Sequence, residues 1–261
     1  MSNISPLFDL TGKIVLVTGG AQGLGRMIAE GYVKAGAHVF ITSRKADIVE
    51  TAASELRAFG ACTGIASDLS TPESVRELAD AIKARTDRLH VVVNNAGKTW
   101  GAPLDGFPDS AWASVMAVNV QMPFTLIRDL LGLLEASGTA GDPARILNIG
   151  SAAGKAVEPL PAFSYAASKA AIHHLSRVLA KELAPRNIAV NVIIPGYFPT
   201  KMTSHIRAED NKLADTLAHI PMNRLGSAED IQGLCIFLAS RASSYITGAE
   251  LPLDGGLTGC R

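Results

Sequence analysis

The sequence predicts an α/β fold, a doubly wound parallel sheet of about seven strands with helices on both faces. Three observations predict it. Short β-branched runs alternate with longer helical patterns, these runs are apolar almost throughout, and no linker-like stretch divides the 261 residues. Strands that are apolar on both sides are typical of parallel sheets, which helices cover on both faces. Because α/β folds of this length are commonly one domain, we expect a single domain over residues 1–261.

Seven short segments are predicted as strands, with helical windows between them. The strands are residues 13–18, 37–42, 62–67, 89–94, 145–150, 188–194 and 248–253. The helices are residues 25–35, 48–59, 72–86, 124–134, 164–183 and 228–240. Because the two patterns alternate, neighbouring strands should be parallel. Residues 136–144 are predicted as a solvent loop, and the less regular stretch 197–227 as a substrate lid.

Charge and composition argue against several classes of protein. The 24 basic and 24 acidic residues give zero formal charge, and the Lys and Arg residues form no basic cluster that would fit a nucleic-acid groove. No apolar run approaches ~18 residues and no secretory pattern opens the chain, so we expect no membrane contact. The three cysteines lack metal-ligand spacing and are interpreted as thiols of a reducing compartment. We therefore expect a cytoplasmic protein without a metal site.

A glycine-rich turn follows the first predicted strand. Gly19, Gly23 and Gly25 form a G-x-x-x-G-x-G pattern between that strand and a helix. Glycines at such a turn let backbone N–H groups approach a pyrophosphate at the helix N-terminus. The spacing differs from G-x-G-x-x-G because Ile28 stands where the last Gly or Ala would be. Its place in a βαβ unit still predicts a Rossmann-type dinucleotide site.

The end of the second strand indicates which dinucleotide binds. Folds that use NAD usually carry Asp or Glu about 20 residues past the glycines, where it holds the ribose 2′-OH. This chain has Ser43 there, followed by Arg44 and Lys45. A carboxylate would repel a 2′-phosphate, whereas arginine can bind it with two hydrogen bonds. The pattern favours NADP(H); the alternative is that the basic pair is the solvated start of the next helix.

Tyr165 and Lys169 are four residues apart on the predicted helix 164–183. They therefore share one face, about 6 Å apart along the axis. Such a pair is usually a surface contact. The twenty residues of the helix do not show whether this one is a surface contact or a proton donor with the residue that tunes its pKa. Ser151 ends a neighbouring predicted strand, and in open α/β sheets ligands bind beyond the carboxyl ends of the strands. The pair would then face a ligand together with Ser151.

In their order along the chain, these motifs resemble the short-chain dehydrogenase/reductase family. The resemblance spans nearly the whole chain and is carried by several motifs together. They are TGGAQGLG (18–25), DL (68–69), NNAG (94–97), Asn119 in VNV, Ser151 in NIGS, Tyr165-x-x-x-Lys169 and PG (195–196). The family implies an NADP-dependent oxidoreductase, acting on a small molecule or an acyl thioester, and a homotetramer.

The resemblance implies chemical roles for four residues. Tyr165 resembles the catalytic acid/base, and Lys169 the residue that lowers the tyrosine pKa and holds the nicotinamide ribose. Ser151 matches the hydroxyl that orients the substrate carbonyl. Asn119 matches the residue that keeps a water behind the lysine. Such a proton donor has to be poised near the working pH, because negative charge develops on the carbonyl oxygen.

The resemblance also implies contacts to the cofactor from several turns. They are Gly19, Gln22, Gly23, Leu24 and Gly25 at the pyrophosphate; Ser43, Arg44 and Lys45 at the 2′-phosphate; Asp68 and Leu69 at the adenine; Asn95, Ala96 and Gly97 along the adenosine ribose; and Pro195, Gly196, Phe198 and Thr200 at the nicotinamide. Many NADPH-dependent members carry a basic residue where this chain has Gln22. Binding of the 2′-phosphate would therefore depend more on Arg44 and Lys45.

Within the family, several stretches resemble the 3-oxoacyl reductases. They are NNAGKTWGAPL, ARILNIGSAAG, VIIPGYFP and IPMNRLG. The leading hypothesis is therefore NADPH-dependent reduction of a 3-oxoacyl thioester to the 3-hydroxyacyl product. The alternatives are a sugar-acid, polyol or other small-ketone dehydrogenase and, remotely, a non-enzymatic NADP-binding sensor.

Other residues are open to two interpretations. His173 and His174 follow the Tyr165/Lys169 pair on the same helix, and we predict no chemical role for them. The apolar side chains of the lid could contact an apolar substrate or fill the core, and Trp100 could border the pocket. The apolar lid residues are Phe198, Met202 and Met222. Lys201, His205 and Arg207 could face an acidic partner, although a solvated face is the simpler interpretation.

Overall fold

Seven strands form one parallel sheet in the computed structural model, which describes residues 5–158, 160–204, 208 and 210–260. The strands are β1 (Ile14–Val17), β2 (His38–Ser43), β3 (Cys62–Ala66), β4 (Val91–Asn94), β5 (Ala144–Ile149), β6 (Ile188–Pro195) and β7 (Glu250–Leu253). All seven predicted strands are confirmed, with ends that differ by no more than two residues.

The sheet has the strand order β3-β2-β1-β4-β5-β6-β7, and every neighbouring pair is parallel. The chain winds outwards in one direction from β1 to β3, and then in the other direction from β4 to β7. The reversal between β1 and β4 leaves a crevice at their carboxyl ends, because the connections leave in opposite directions there. This crevice is where a ligand is expected in a doubly wound sheet.

Eight α-helices surround the sheet in the described ranges. They are α1 (Gly23–Lys34), α2 (Ala46–Arg57), α3 (Pro72–Lys83), α4 (Asp109–Met116), α5 (Met122–Glu135), α6 (Phe163–Leu183), α7 (Asp210–Ala218) and α8 (Ala228–Ala239). Local capping sets some of the boundaries. Thr71 and Ser74 cap α3 reciprocally, and Ser227 and Asp230 do the same for α8. The six predicted helices are confirmed, whereas α4 and α7 were not predicted.

The strands send alternate side chains into two hydrophobic cores. Val15 and Val17 pack towards α1, α2 and α8, whereas Leu16 between them packs towards α3, α5 and α6. This alternation follows from the two-residue period of a strand. Because both faces of the sheet are covered, the strands can be apolar at consecutive positions.

The predicted loop before β5 is confirmed over residues 136–143, and it also carries a charged contact to the sheet. Ala144 already belongs to β5, and Asp142 accepts hydrogen bonds from the Lys13 ammonium at 2.7 and 2.9 Å. Asp142 also pairs with Arg145 at 3.1 Å, and the fully buried Arg145 donates to the carbonyl of Ser240 at 2.8 Å. A buried guanidinium needs a counterion, and Asp142 supplies it.

Two further properties of the described residues bear on function. None of their helices is both long enough and apolar enough to cross a membrane. Cys62 and Cys235 are buried, Cys260 is exposed, and all three are free thiols.

Candidate active site

The glycine turn after β1 places the N-terminus of α1 at the crevice. Gly19 and Gly23 have φ angles of +65° and +55°, the left-handed region that glycine adopts without strain. A Cβ on Gly25 would collide with the Asn95 amide nitrogen and with the carbonyl oxygen of Gly19. Gln22 is the N-cap residue of α1 and makes no side-chain cap bond. The first-turn N–H groups are therefore presented to an anion, which fits a pyrophosphate.

The turns after β1 and β4 are joined by hydrogen bonds across the switch point. Thr18 Oγ1 accepts from the backbone N–H groups of Asn95 and Ala96, each at 3.0 Å. The Asn95 amide in turn donates to the carbonyls of Thr18 and Gly19, at 2.9 and 3.3 Å. The predicted cofactor residues of the two turns thus come together. Thr18, which sequence reasoning missed, holds both turns with one hydroxyl.

The predicted 2′-phosphate and adenine residues follow β2 and β3 at the same edge of the sheet. Ser43 ends β2, and its carbonyl accepts from the N–H of Ser67 at 2.9 Å. Arg44 and Lys45 follow it with exposed side chains. Asp68 is exposed and Leu69 is half-buried, lining a small cavity with Thr18 and Ala96 among others. The basic pair is therefore free to meet an anion at this edge.

Ser151, Tyr165 and Lys169 meet where β5 ends against α6. Ser151 follows Gly150, the residue after β5, and its hydroxyl is close enough to the Tyr165 hydroxyl to lower the tyrosine pKa. Ser151 Oγ also accepts from the N–H of Ala153 at 3.2 Å. The Lys169 ammonium donates to the carbonyl of Ile149 at 2.7 Å and lies 5.5 Å from the centre of the Tyr165 ring. Tyr165 and Lys169, four residues apart on α6, therefore lie side by side next to Ser151 at the carboxyl edge of the sheet.

Asn119 lies on a π-helical segment, Ala117–Gln121, between α4 and α5. Its side-chain oxygen accepts from the N–H of Lys98 at 2.8 Å, and its amide nitrogen donates to the carbonyl of Lys98 and to Ser168 Oγ, both at 2.9 Å. The side chain therefore braces the loop after β4 against α6. A Cβ on Gly97 would lie 3.5 Å from Asn119 Oδ1 and 3.9 Å from Lys169 Nζ, so Asn119 and Lys169 face the same narrow space.

Burial changes the acidity of both groups on α6. Burial raises the pKa of Tyr165 above its ordinary value, and the hydrogen bond from Ser151 opposes this only in part. Burial also lowers the pKa of Lys169 to about 8. The expectation that Lys169 lowers the tyrosine pKa stays a prediction, and burial, which disfavours the phenolate, is the largest influence on the pKa of Tyr165 in this structure. At neutral pH Tyr165 is a phenol, the form that can give up a proton.

The predicted nicotinamide residues lie between β6 and the glycine turn. Pro195 ends β6, and a Cβ on Gly196 would come within 2.8 Å of the Asp254 backbone. The Phe198 side chain is buried in the core, as the core-filling interpretation of that side chain expects. A Cβ on Gly23 would be 3.6 Å from Thr200, so this loop reaches the N-terminus of α1.

The predicted lid is partly regular and is tied to the loop after β5. It contains α7, and the Tyr197 hydroxyl donates to Glu158 Oε2 at 2.9 Å. Met202 and Met222 are at least half exposed, and Trp100 is 45 % exposed. Lys201 is exposed, as the solvated interpretation expects. His205 and Arg207 lie outside the described residues.

The site combines a glycine-lined helix N-terminus with Ser151, Tyr165 and Lys169 at one edge of a doubly wound sheet. This combination defines a class of protein, the nicotinamide-dependent oxidoreductases. The chain belongs to one family of that class, the short-chain dehydrogenases/reductases: the family model described as enoyl-(acyl carrier protein) reductase matches residues 19–258. The fold and the motifs of the sequence predicted this family, and the match confirms it.

Two relatives and one solved structure show how this chain relates to the family. It is 48% identical to the rhamnolipids biosynthesis 3-oxoacyl-[acyl-carrier-protein] reductase of Pseudomonas aeruginosa, over 96% of this chain and 98% of that protein. It is 36% identical to the galactitol 2-dehydrogenase (L-tagatose-forming) of Cereibacter sphaeroides, over 97% of each. The solved Pseudomonas aeruginosa RhlG/NADP active-site complex superimposes with a TM-score of 0.95 at 47% identity, covering 97% of this chain and 99% of that one.

Proposed function

We propose that this protein reduces the keto group of a 3-oxoacyl thioester with NADPH and releases the 3-hydroxyacyl product. The observation that carries the proposal is the Tyr165 hydroxyl, a protonated phenol at neutral pH, which lies near the Ser151 hydroxyl and beside the Lys169 ammonium. Proton donor, orienting hydroxyl and cation thus share one edge of the sheet. Negative charge that develops on a carbonyl oxygen there would meet all three.

The chain's own turns would hold the cofactor. The uncapped first turn of α1, with Gly19, Gln22, Gly23, Leu24 and Gly25, fits the pyrophosphate, and Ser43, Arg44 and Lys45 fit the 2′-phosphate. Asp68 and Leu69 would flank the adenine, and Asn95, Ala96 and Gly97 the adenosine ribose. Pro195, Gly196, Phe198 and Thr200 would border the nicotinamide. When bound, NADPH supplies the hydride.

The protein's part in the reaction is to orient the carbonyl and to deliver one proton. Ser151 Oγ already accepts from Ala153, so its hydrogen is directed to the Tyr165 oxygen or to a substrate carbonyl. Tyr165 gives its hydroxyl proton to the carbonyl oxygen as the hydride reaches the carbonyl carbon. Lys169 stabilises the resulting phenolate, since its ammonium carries the opposite charge. Asn119 holds the loop after β4 in place against α6.

Two features of the loops around Tyr165 support an acyl thioester as substrate. Exposed apolar side chains lie in the loops after β4 and β5, namely those of Trp100, Leu104, Val157 and Leu160. These loops are bound to each other by the Ala102 N–H, which donates to the carbonyl of Pro161 at 3.0 Å. An aliphatic chain can bury this surface on binding. The 48% identity to a 3-oxoacyl reductase supports the same substrate class.

A sugar acid or polyol is the second candidate substrate. It is favoured by relatives at 36% identity, the galactitol 2-dehydrogenase and a 2-dehydro-3-deoxy-D-gluconate 5-dehydrogenase of Bacillus subtilis.

One assay distinguishes the candidates. The purified protein is mixed with NADPH and a 3-oxoacyl thioester, a keto sugar acid or a simple ketone, and the loss of NADPH absorbance is followed; a polyol is tested with NADP⁺. We expect the highest kcat/KM with the thioester. A higher value with the sugar acid or polyol would favour the second candidate, and no turnover of any compound would favour an NADP-binding sensor.

We further propose that the protein is a cytoplasmic homotetramer. The free thiols of Cys62, Cys235 and Cys260 support a reducing compartment. Exposed apolar side chains on three neighbouring helices support self-association, namely Trp112 on α4, Phe124 on α5 and Val178 on α6. Light scattering coupled to size exclusion should give four times the 27.3 kDa of one chain. A mass of one or two chains would contradict the tetramer.

A further inference from the structure

A buried histidine lies directly behind Ser151. His173 is on α6, one turn beyond Lys169, and only 4 % of it is exposed. Its Nε2 atom is 3.3 Å from the backbone nitrogen of Ser151, whose N–H donates to it. The side chain of His173 therefore contacts the backbone of Ser151, while the Ser151 hydroxyl is directed to Tyr165.

Gly150 is shaped to receive this imidazole. A Cβ on Gly150 would overlap His173 Nε2 and lie 2.8 Å from His173 Cδ2. The ring thus packs against the peptide that joins β5 to Ser151. The last bond that this part of β5 donates to β6 is from Gly150 N–H to the carbonyl of Ile193, at 2.7 Å. The next residue, Ser151, donates its backbone N–H to His173 instead of to β6.

The surroundings keep His173 neutral. Burial lowers the pKa of His173 to about 4, and Lys169, Lys155 and Arg177 add to the lowering, while Glu250 on β7 opposes it. A neutral ring with Nε2 as acceptor carries its proton on Nδ1. It can therefore accept the Ser151 N–H throughout the pH range in which such enzymes work.

We propose that His173 is a positioning residue for the reduction: by accepting the Ser151 N–H, it sets the Ser151 hydroxyl opposite Tyr165. The proposal rests on the proposed function of Ser151. Without this acceptor the Ser151 peptide can rotate, and the hydroxyl leaves the line between Tyr165 and the substrate carbonyl. A displacement of about 1 Å in such a group can cost about a hundredfold in rate.

The experiment compares His173 with its neighbour on the helix. His174 is exposed and contacts Arg177 at the surface, at 3.1 Å, so His174→Leu is a matched control. We expect His173→Leu to lower kcat about ten- to hundredfold, with an unchanged Kd for NADPH by fluorescence titration. His173→Gln, which keeps an acceptor, should recover most of kcat, and His174→Leu should stay within about twofold of the parent.

A double variant separates positioning from general structure. If His173 acts through Ser151, then His173→Leu should cause no further loss in a Ser151→Ala background, because the hydroxyl it places is gone. An equal loss in both backgrounds would overturn the inference, as would a normal kcat for His173→Leu. Full activity of Ser151→Ala would instead contradict the proposed function itself.

A measurement on the unmodified protein covers the case in which His173→Leu does not fold. Nitrogen-15 NMR of the histidine-labelled protein, assigned with His173→Gln, reports which ring nitrogen carries the proton. We expect unprotonated Nε2 between pH 6 and 8. Protonated Nε2 would overturn the inference, because such a nitrogen cannot accept the Ser151 N–H.

Discussion

Lys169 holds its ammonium nitrogen 5.5 Å from the centre of the Tyr165 ring, on the helix that both residues share. The lysine is 6 % exposed and donates to the carbonyl of Ile149. Burial therefore lowers the pKa of Lys169 to about 8 and raises that of Tyr165. At neutral pH the pair consists of an ammonium and a phenol: the phenol holds the proton to be donated, and the ammonium would stabilise the phenolate left behind.

Activity should fall as the pH rises through about 8. Lys169 is protonated below its pKa and loses its charge above it, so the phenolate that Tyr165 forms on giving up its proton is no longer stabilised. The kcat/KM for reduction, which reports groups of the free enzyme, should show this decline. Circular dichroism at each pH controls for unfolding. A profile that is flat or rising between pH 7 and 9 would contradict the assignment.

Gly25→Ala should weaken cofactor binding and destabilise the fold. The added methyl group collides with the Asn95 amide and the Gly19 carbonyl, and such overpacking costs about 1–3 kcal/mol. Gly132→Ala is the matched control, because Gly132 is exposed on α5 and its Cβ would meet nothing within 4 Å. That change should stabilise by about 0.5–1 kcal/mol. Urea unfolding and NADPH titration measure both effects, and equal outcomes for the two variants would refute the crowding at Gly25.

Arg44→Ala should reduce the preference for NADPH over NADH. Hydrogen bonds to a charged group contribute about 1.5–3 kcal/mol, so KM for NADPH should rise about tenfold or more, with KM for NADH unchanged. Arg76→Ala, at an exposed position on α3 paired with Glu73, is the control. If Arg44→Ala changes both KM values equally, the 2′-phosphate does not bind there.

Asp142→Asn, a change far from the active site, should lower the free energy of unfolding. The change leaves the fully buried Arg145 without its counterion and weakens the contact of Lys13. Breaking a buried pair costs about 3–5 kcal/mol, and the partial exposure of Asp142 reduces this to about 2–3 kcal/mol. Asp80→Asn, whose pair with Lys83 is at the surface, should change the free energy of unfolding by less than about 0.5 kcal/mol. Similar values for the two variants would show that the cluster contributes little.

The sheet and the glycine turn could be predicted because their signals are local. An apolar run predicts a strand, and the glycines at 19, 23 and 25 predict a turn, from residues that are close together in the sequence. The bracing contacts could not be predicted in this way. Asn119 reaches Ser168, 49 residues away, and Lys13 reaches Asp142, 129 residues away. Such pairs depend on how the elements pack.

The pKa of Tyr165 could not be predicted from the sequence either. The i,i+4 spacing places Lys169 beside it, but the direction of the tyrosine pKa depends on burial, which the spacing does not contain. The helix α4 was missed for a related reason. It is only eight residues long and follows Pro108, and it runs into the π-helical segment that carries Asn119. Short helices of this kind depend on tertiary packing rather than on their own periodicity.

The central claim is that Tyr165 delivers the proton, and Tyr165→Phe tests it most directly. The change removes one hydroxyl and keeps the ring beside Lys169, so NADPH should bind with an unchanged Kd. Steady-state turnover of NADPH with a 3-oxoacyl thioester should fall by about 10²–10⁴, the usual contribution of a positioned acid. A variant that binds NADPH normally and retains turnover within about tenfold of the parent would contradict the account.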